Sequence, residues 1–70
     1  MPARIGRVTA FDPRRGYGAV VGGDGREHVF HLTAIADGSR HIEVGTPVAF
    51  EVVAGHLGRW EAADLHPLTA

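Results

Sequence analysis

The chain repeats one device: a short run in which apolar and polar side chains alternate, closed by a cluster of Gly, Pro or Asp. A period of two marks a strand with one face buried, and no segment keeps the 3.6-residue period of a helix. The first run, Arg4 to Phe11, predicts one face with Gly6, Val8 and Ala10 and another with Arg7, Thr9 and Phe11. Asp12-Pro13-Arg14-Arg15-Gly16 is a turn, because Asp bonds its own backbone, Pro presets φ and Gly accepts a positive φ. The second run, Tyr17 to Gly22, sets Gly18 and Val20 against Tyr17, Ala19 and Val21. The Asp24-Gly25 step that follows is a strong hairpin signal, so the third run, His28 to Leu32, is expected to return antiparallel beside the second. Its faces are His28, Phe30 and Leu32 against Val29 and His31. If Phe30 is core, His31 joins Val29 on the face that carries Tyr17.

Thr33 to Ala36 has the composition of a single helical turn, and Asp37 to His41 reads as a loop. Glu43 to Pro47 turns the chain into the clearest alternation of all, Val48, Phe50 and Val52 against Ala49, Glu51 and Val53. Ala54-Gly55-His56-Leu57-Gly58 predicts a second hairpin, Trp60 to Leu65 a fifth strand, and Pro67 its end, with a loose tail beyond. Five short strands, two hairpins either side of a longer connection and no full helix predict an all-β fold, a small closed or nearly closed barrel. Closure also protects the edges of strands this short.

Composition narrows the picture. A chain of 70 residues makes one domain, spanning 1–70 with an ordered core at about 4–66, and buries only roughly 60% of the surface that it exposes unfolded. It has no cysteine, so neither disulfides nor a thiolate metal site supplements the core, and the composition suits a reducing cytoplasm. No apolar run is long enough to span a membrane and no secretory signal opens the chain, so a soluble cytoplasmic protein with no membrane partner is expected. The net charge of −1 denies it a general basic field, yet all 7 basic residues are arginine, which offers planar bidentate contacts and stacking.

The stretch Arg14-Arg15-Gly16-Tyr17-Gly18-Ala19-Val20 carries the candidate chemistry. Two cations lead into one aromatic ring between glycines, where a planar ligand has room to lie on bare backbone. Bases stacked on such a ring, with phosphates against the charge, are how single strands of nucleic acid are held. The competing reading is a tightly twisted strand start. His28 and His31 fall on opposite faces of their strand, and no tight cluster of histidine and carboxylate exists, so no metal site is expected. No nucleophile elbow, phosphate loop or paired carboxylate is present, so neither an enzyme nor a cofactor is expected.

These residues resemble the bacterial cold-shock protein family. Gly6-Arg7-Val8, Phe11-Asp12 and Arg15-Gly16-Tyr17-Gly18-Ala19-Val20 are similar to its first strand and first RNA-binding motif, which ends K-G-F-G-F-I. Val29-Phe30-His31-Leu32-Thr33-Ala34-Ile35 resembles its second motif, V-F-V-H-F-S-A-I, with His31 on the motif's histidine. Gly45 to Val53 and Ala62 to Leu65 are similar to the family's fourth and fifth strands, so the resemblance runs from about residue 4 to 66 in order and spacing. It implies a five-stranded antiparallel OB-type barrel whose second and third strands stack single-stranded RNA or DNA. Tyr17, His31 and Phe11 are the rings left for that face, Phe11 reading equally as a barrel-corner core residue and His31 as a partner of the neighbouring turn, and Arg7, Arg14 and Arg15 read as phosphate contacts or as solvated charges.

Departures from the family's pattern limit that implication. Its platform aromatics are replaced by Ala10, Ala19, Val29 and Leu32, and its core valines by His28 and Phe30. At about 1 kcal/mol of stacking per ring, four lost rings weaken binding by nearly three decades. Weak binding of short single strands is therefore expected. The alternative is a protein partner or homodimer docked on the Ala19/Val29 face. Trp60 also departs from the family and reads as a displaced stacking ring, a partner contact or a barrel-end plug. With 5 histidines and no lysine, exposed imidazoles would turn the charge positive below about pH 6 and strengthen binding.

Overall fold

The computed structural model describes residues 4–55 and 58–68; His56 and Leu57 of the expected second hairpin, and Thr69 and Ala70 of the expected tail, lie outside the described residues. Five strands form in the expected order: β1 (Arg4–Asp12), β2 (Tyr17–Gly22), β3 (Glu27–His31), β4 (Pro47–Ala54) and β5 (Trp60–Pro67). A 3₁₀ turn at Leu32–Ala34, one residue earlier than the composition predicts, begins the central connection. The strands close a barrel in the order β1-β2-β3-β5-β4, with β4 back against β1.

One pairing departs from the antiparallel expectation. β3 and β5 run parallel, joined at Val29 and Glu61 and extended by an isolated bridge from Ile35 to Leu65. The reason is topological: the connection after β3 crosses to place β4 beside β1, and β5, returning antiparallel to β4, arrives beside β3 in the same sense. Tyr17, His31 and the Asp12–Gly16 turn therefore share one end of the barrel. The Gly22–Arg26 turn, Ala54 and Trp60 share the other.

Val8, Val20, Phe30, Val48, Phe50 and Leu65 are fully buried and fill the barrel, with Ile35 and Ile42 from the central connection added to that core. Most follow the predicted alternation: Val20 against an outward Tyr17, Phe30 against an outward Val29, and Val48, Phe50 and Val52 turned inward together. Two positions break it. Opposite β2, Val8 pairs with Val20 but Ala10 with Ala19, which leaves Thr9 as an extra residue. That bulge reverses the parity of the rest of β1, so Ala10 is exposed and Phe11 packs against the core, contrary to the predicted faces. In β5, Glu51 pairs with Ala63 and Ala49 with His66, and Asp64 takes a left-handed φ of 54°. Ala62 and Leu65, three residues apart, consequently both point inward.

Gly18 is required by packing. A Cβ there would lie 2.5 Å from Phe30 Cζ and 2.6 Å from the Ala10 carbonyl oxygen. The far turn is held by Asp24, whose Oδ1 accepts from the Arg26 N–H at 3.0 Å while Oδ2 lies 3.5 Å from Arg4 Nη1. The Arg26 N–H, with smaller help from the charges of Arg4 and Arg26, holds the Asp24 carboxyl below its usual range.

Two outcomes follow from these contacts. Gly18→Ala lowers stability by about 1–3 kcal/mol through overpacking against Phe30, a fall of roughly 5–20 °C in the melting temperature of a domain this size by circular dichroism. Asp24 has a lower pKa folded than unfolded, so its carboxylate contributes stability above its unfolded value and loses it as pH falls through the lower folded value. The stability gap between the native chain and Asp24→Asn, read by urea titration, is therefore full above the ordinary value of 3.8 and closes below it.

Candidate functional site

Antiparallel pairing sets Tyr17 of β2 directly opposite His31 of β3 on the outer face of the barrel. Their rings meet edge to face, with centroids 5.0 Å apart and planes 72° apart, and Tyr17 keeps 57% of its surface exposed. An exposed phenol ring held by an imidazole is a preformed platform for a flat ligand.

His31 is oriented from behind. Its Nδ1 accepts the Thr33 N–H at 3.3 Å, capping the 3₁₀ turn, and lies 2.9 Å from Thr33 Oγ1. With Nδ1 serving as acceptor, the neutral ring carries its proton on Nε2, which leaves that nitrogen as a donor. Thr33 is a site residue that period-2 reading does not flag. The His31-Leu32-Thr33 spacing is the signal, since a side chain two residues on reaches back to a strand-end imidazole.

The turn before Tyr17 is fixed just as locally. Asp12 Oδ1 accepts from the N–H groups of Arg14 at 2.9 Å and Arg15 at 3.3 Å, and the Gly16 N–H donates to the Asp12 carbonyl at 2.8 Å. Gly16 sits at a φ of 74°, where a Cβ would meet Leu32 Cδ2 at 2.6 Å. The Leu32 N–H donates to the Gly16 carbonyl at 2.7 Å and so ties the two motifs together. Gly16 and Gly18 thus serve the packing beneath Tyr17. Both arginine side chains remain exposed at the rim; Arg15 lies 3.9 Å from Asp12 in a solvated pair of little strength, and Arg14 has no ion pair among the described residues.

The rest of the outer face is aliphatic and then polar. Ala10, Ala19 and Val29 stand in register across β1, β2 and β3, with Ala19 already enclosed and Val29 exposed. Beyond them Thr9 Oγ1 donates to Glu27 Oε2 at 2.9 Å. On the β5 side a groove of about 500 Å³ runs beside His31, with Glu61 and Asp64 along it. Arginine therefore borders Tyr17 on one side of the face and carboxylates border His31 on the other.

Phe11, Arg7 and Trp60, also expected at the site, make no ring contact or hydrogen bond with Tyr17 or His31 among the described residues. Phe11 is half-buried, stacked at 6.1 Å on Phe30 and met edge-on by His41 at 5.5 Å, so its ring fills a barrel corner. Arg7 Nη1 donates to the Gly45 carbonyl at 3.1 Å, which engages it with the turn before β4. Trp60 opens β5 at the opposite end from Tyr17, and the two do not form one platform.

Compared with known proteins, residues 4–68 match the family model described as the 'Cold-shock' DNA-binding domain. No curated protein matches the chain.

Removal of the imidazole acceptor in His31→Ala frees the Thr33 N–H. That amide then exchanges faster with deuterium by NMR, and the chain loses about 0.5–1.5 kcal/mol, the value of one hydrogen bond.

Proposed function

The chain belongs to the cold-shock DNA-binding domain family, a nucleic-acid-binding and non-enzymatic family, and we propose that this member binds single-stranded RNA or DNA weakly and with little sequence preference. The observation that carries the reading is the Tyr17–His31 pair, an exposed ring braced edge-on by an imidazole whose tautomer Thr33 sets. An unstacked base lies on Tyr17. Nε2–H of His31 donates to a base edge or sugar oxygen beside it, and the phosphates run toward Arg14 and Arg15, away from Glu61 and Asp64. Phe11 supports this site from the corner it fills rather than as a free stacking ring.

Weakness follows from the same face. Ala10, Ala19, Val29 and Leu32 offer a base no π surface, so one strong stacking position remains where a chain of them would hold successive bases. No bond is made or broken. The protein acts as a chaperone by trapping unpaired strands, which opposes hairpins in proportion to the strands occupied. The alternative, a protein partner or second copy docked on Ala19 and Val29, has less to support it: Ala19 is already enclosed, so docking there would bury mainly Val29.

A titration of a fluorescently labelled oligo-dT or oligo-U heptamer tests the proposal. Tyr17→Ala weakens binding roughly 5- to 150-fold, the equivalent of one stacked base. Neutralising Arg14 and Arg15 together flattens the dependence of log K on log salt by about 1 to 2. Absence of binding at hundreds of micromolar protein sinks the reading, and a dimer by sedimentation that dissociates in Val29→Asp would replace it with the alternative.

A further inference from the structure

The far end of the barrel holds a group of side chains that the Tyr17 face does not use. β5 begins there with Trp60, a residue 64% exposed. Arg4 starts β1 at the same end, and Arg26 leads into β3. His28, one strand position further, points inward toward Phe50, with ring centroids 6.3 Å apart. Its Nδ1 is buried and has no hydrogen-bond partner among the described residues. A valine would pack at this place without stranding a polar atom, so His28 is not explained by stability.

These residues converge. Arg4, Arg26, His28, Val52 and Trp60 line one cleft of about 210 Å³. His28 and Arg4 also border a second of about 260 Å³, which reaches Asp24 and Phe50. The two cations differ: Arg4 lies 3.5 Å from Asp24 Oδ2, whereas the Arg26 guanidinium has no ion pair or hydrogen bond among the described residues. The cleft thus presents one flat aromatic face, one planar fork of donors whose charge reaches Asp24 without an ion pair, and one cation already paired with that carboxylate. A forked guanidinium matches a phosphate, and an indole matches a nucleobase. Asp24 beside Arg4 opposes a ligand with several charges and favours a single phosphate.

We propose that this end of the barrel is a second site, separate from Tyr17 and His31, for one phosphate-bearing nucleobase: the base on Trp60, the phosphate on Arg26 with Arg4 behind it, and His28 as the wall. The proposal uses no residue of the Tyr17 face and stands whether or not that face binds a strand. By strand geometry the two sites lie roughly 10 Å apart along the barrel and about 10 Å across it. The ligand is either a free mononucleotide or a nucleotide of a longer strand.

Trp60 is the only tryptophan, so its emission reports this site alone. The full chain is titrated at low salt with adenosine 5′-monophosphate, with adenosine and with an oligo-dT heptamer, folding of each variant being checked by circular dichroism. Saturable quenching by the monophosphate, at least about tenfold weaker with adenosine and at least about tenfold weaker in Arg26→Ser, and unchanged in Tyr17→Ala, is the result expected of a mononucleotide site. Quenching by the heptamer alone, lost in Arg26→Ser, supports the site and assigns it to a strand. Emission that no ligand alters overturns the proposal, as does quenching equal in Arg26→Ser and the native chain. Either result leaves binding at Tyr17, read from the labelled strand, where it stood.

Discussion

The Phe30 ring occupies the space that a side chain at Gly18 would need, and the outer face of the barrel is arranged by that contact. With Phe30 inside, the period of two forces Val29 and His31 outside, and the pairing of Gly18 with Phe30 brings Tyr17 opposite His31. A shift of one residue would bury the imidazole and expose Phe30. The platform is thus a by-product of core packing.

The parts of the fold that obey simple alternation were legible in the residues. β2, β3 and β4 lie where their runs predict, and Phe30 as core with His31 beside Tyr17 follows from parity alone. Parity fails at Thr9 and at Asp64, where an extra residue turns the chain's sides over. A bulge depends on the register of the partner strand, a non-local property, so the inward turn of Phe11 and the joint burial of Ala62 and Leu65 had no local signal. The parallel join of β3 and β5 was hidden for the same reason. Thr33, by contrast, stood two residues from His31 and was locally readable.

The arginines show how a chain with a net charge of −1 still presents local positive surface. Asp12 uses its carboxylate chiefly on backbone N–H groups, which shapes the turn while leaving Arg14 and Arg15 outward. Asp24 does the same for the far turn, although there Arg4 is drawn in as well. Both carboxylates still lie near an arginine, at 3.9 Å for Arg15 and 3.5 Å for Arg4, so the turns decide where charge of each sign stands rather than how much there is.

The seam between β3 and β5 is short, held by the Val29–Glu61 pair, the Ile35–Leu65 bridge and the Ala36 N–H on the Leu65 carbonyl at 2.8 Å. Every other join runs along four or more residue pairs. Local opening is easiest where fewest residue pairs must part, and in this barrel that place is the parallel seam. His31 stands at the end of β3 on that seam, and Trp60 at the start of β5 across it. His31 and Trp60, at the two ends of the molecule, therefore both border the join with the fewest paired residues.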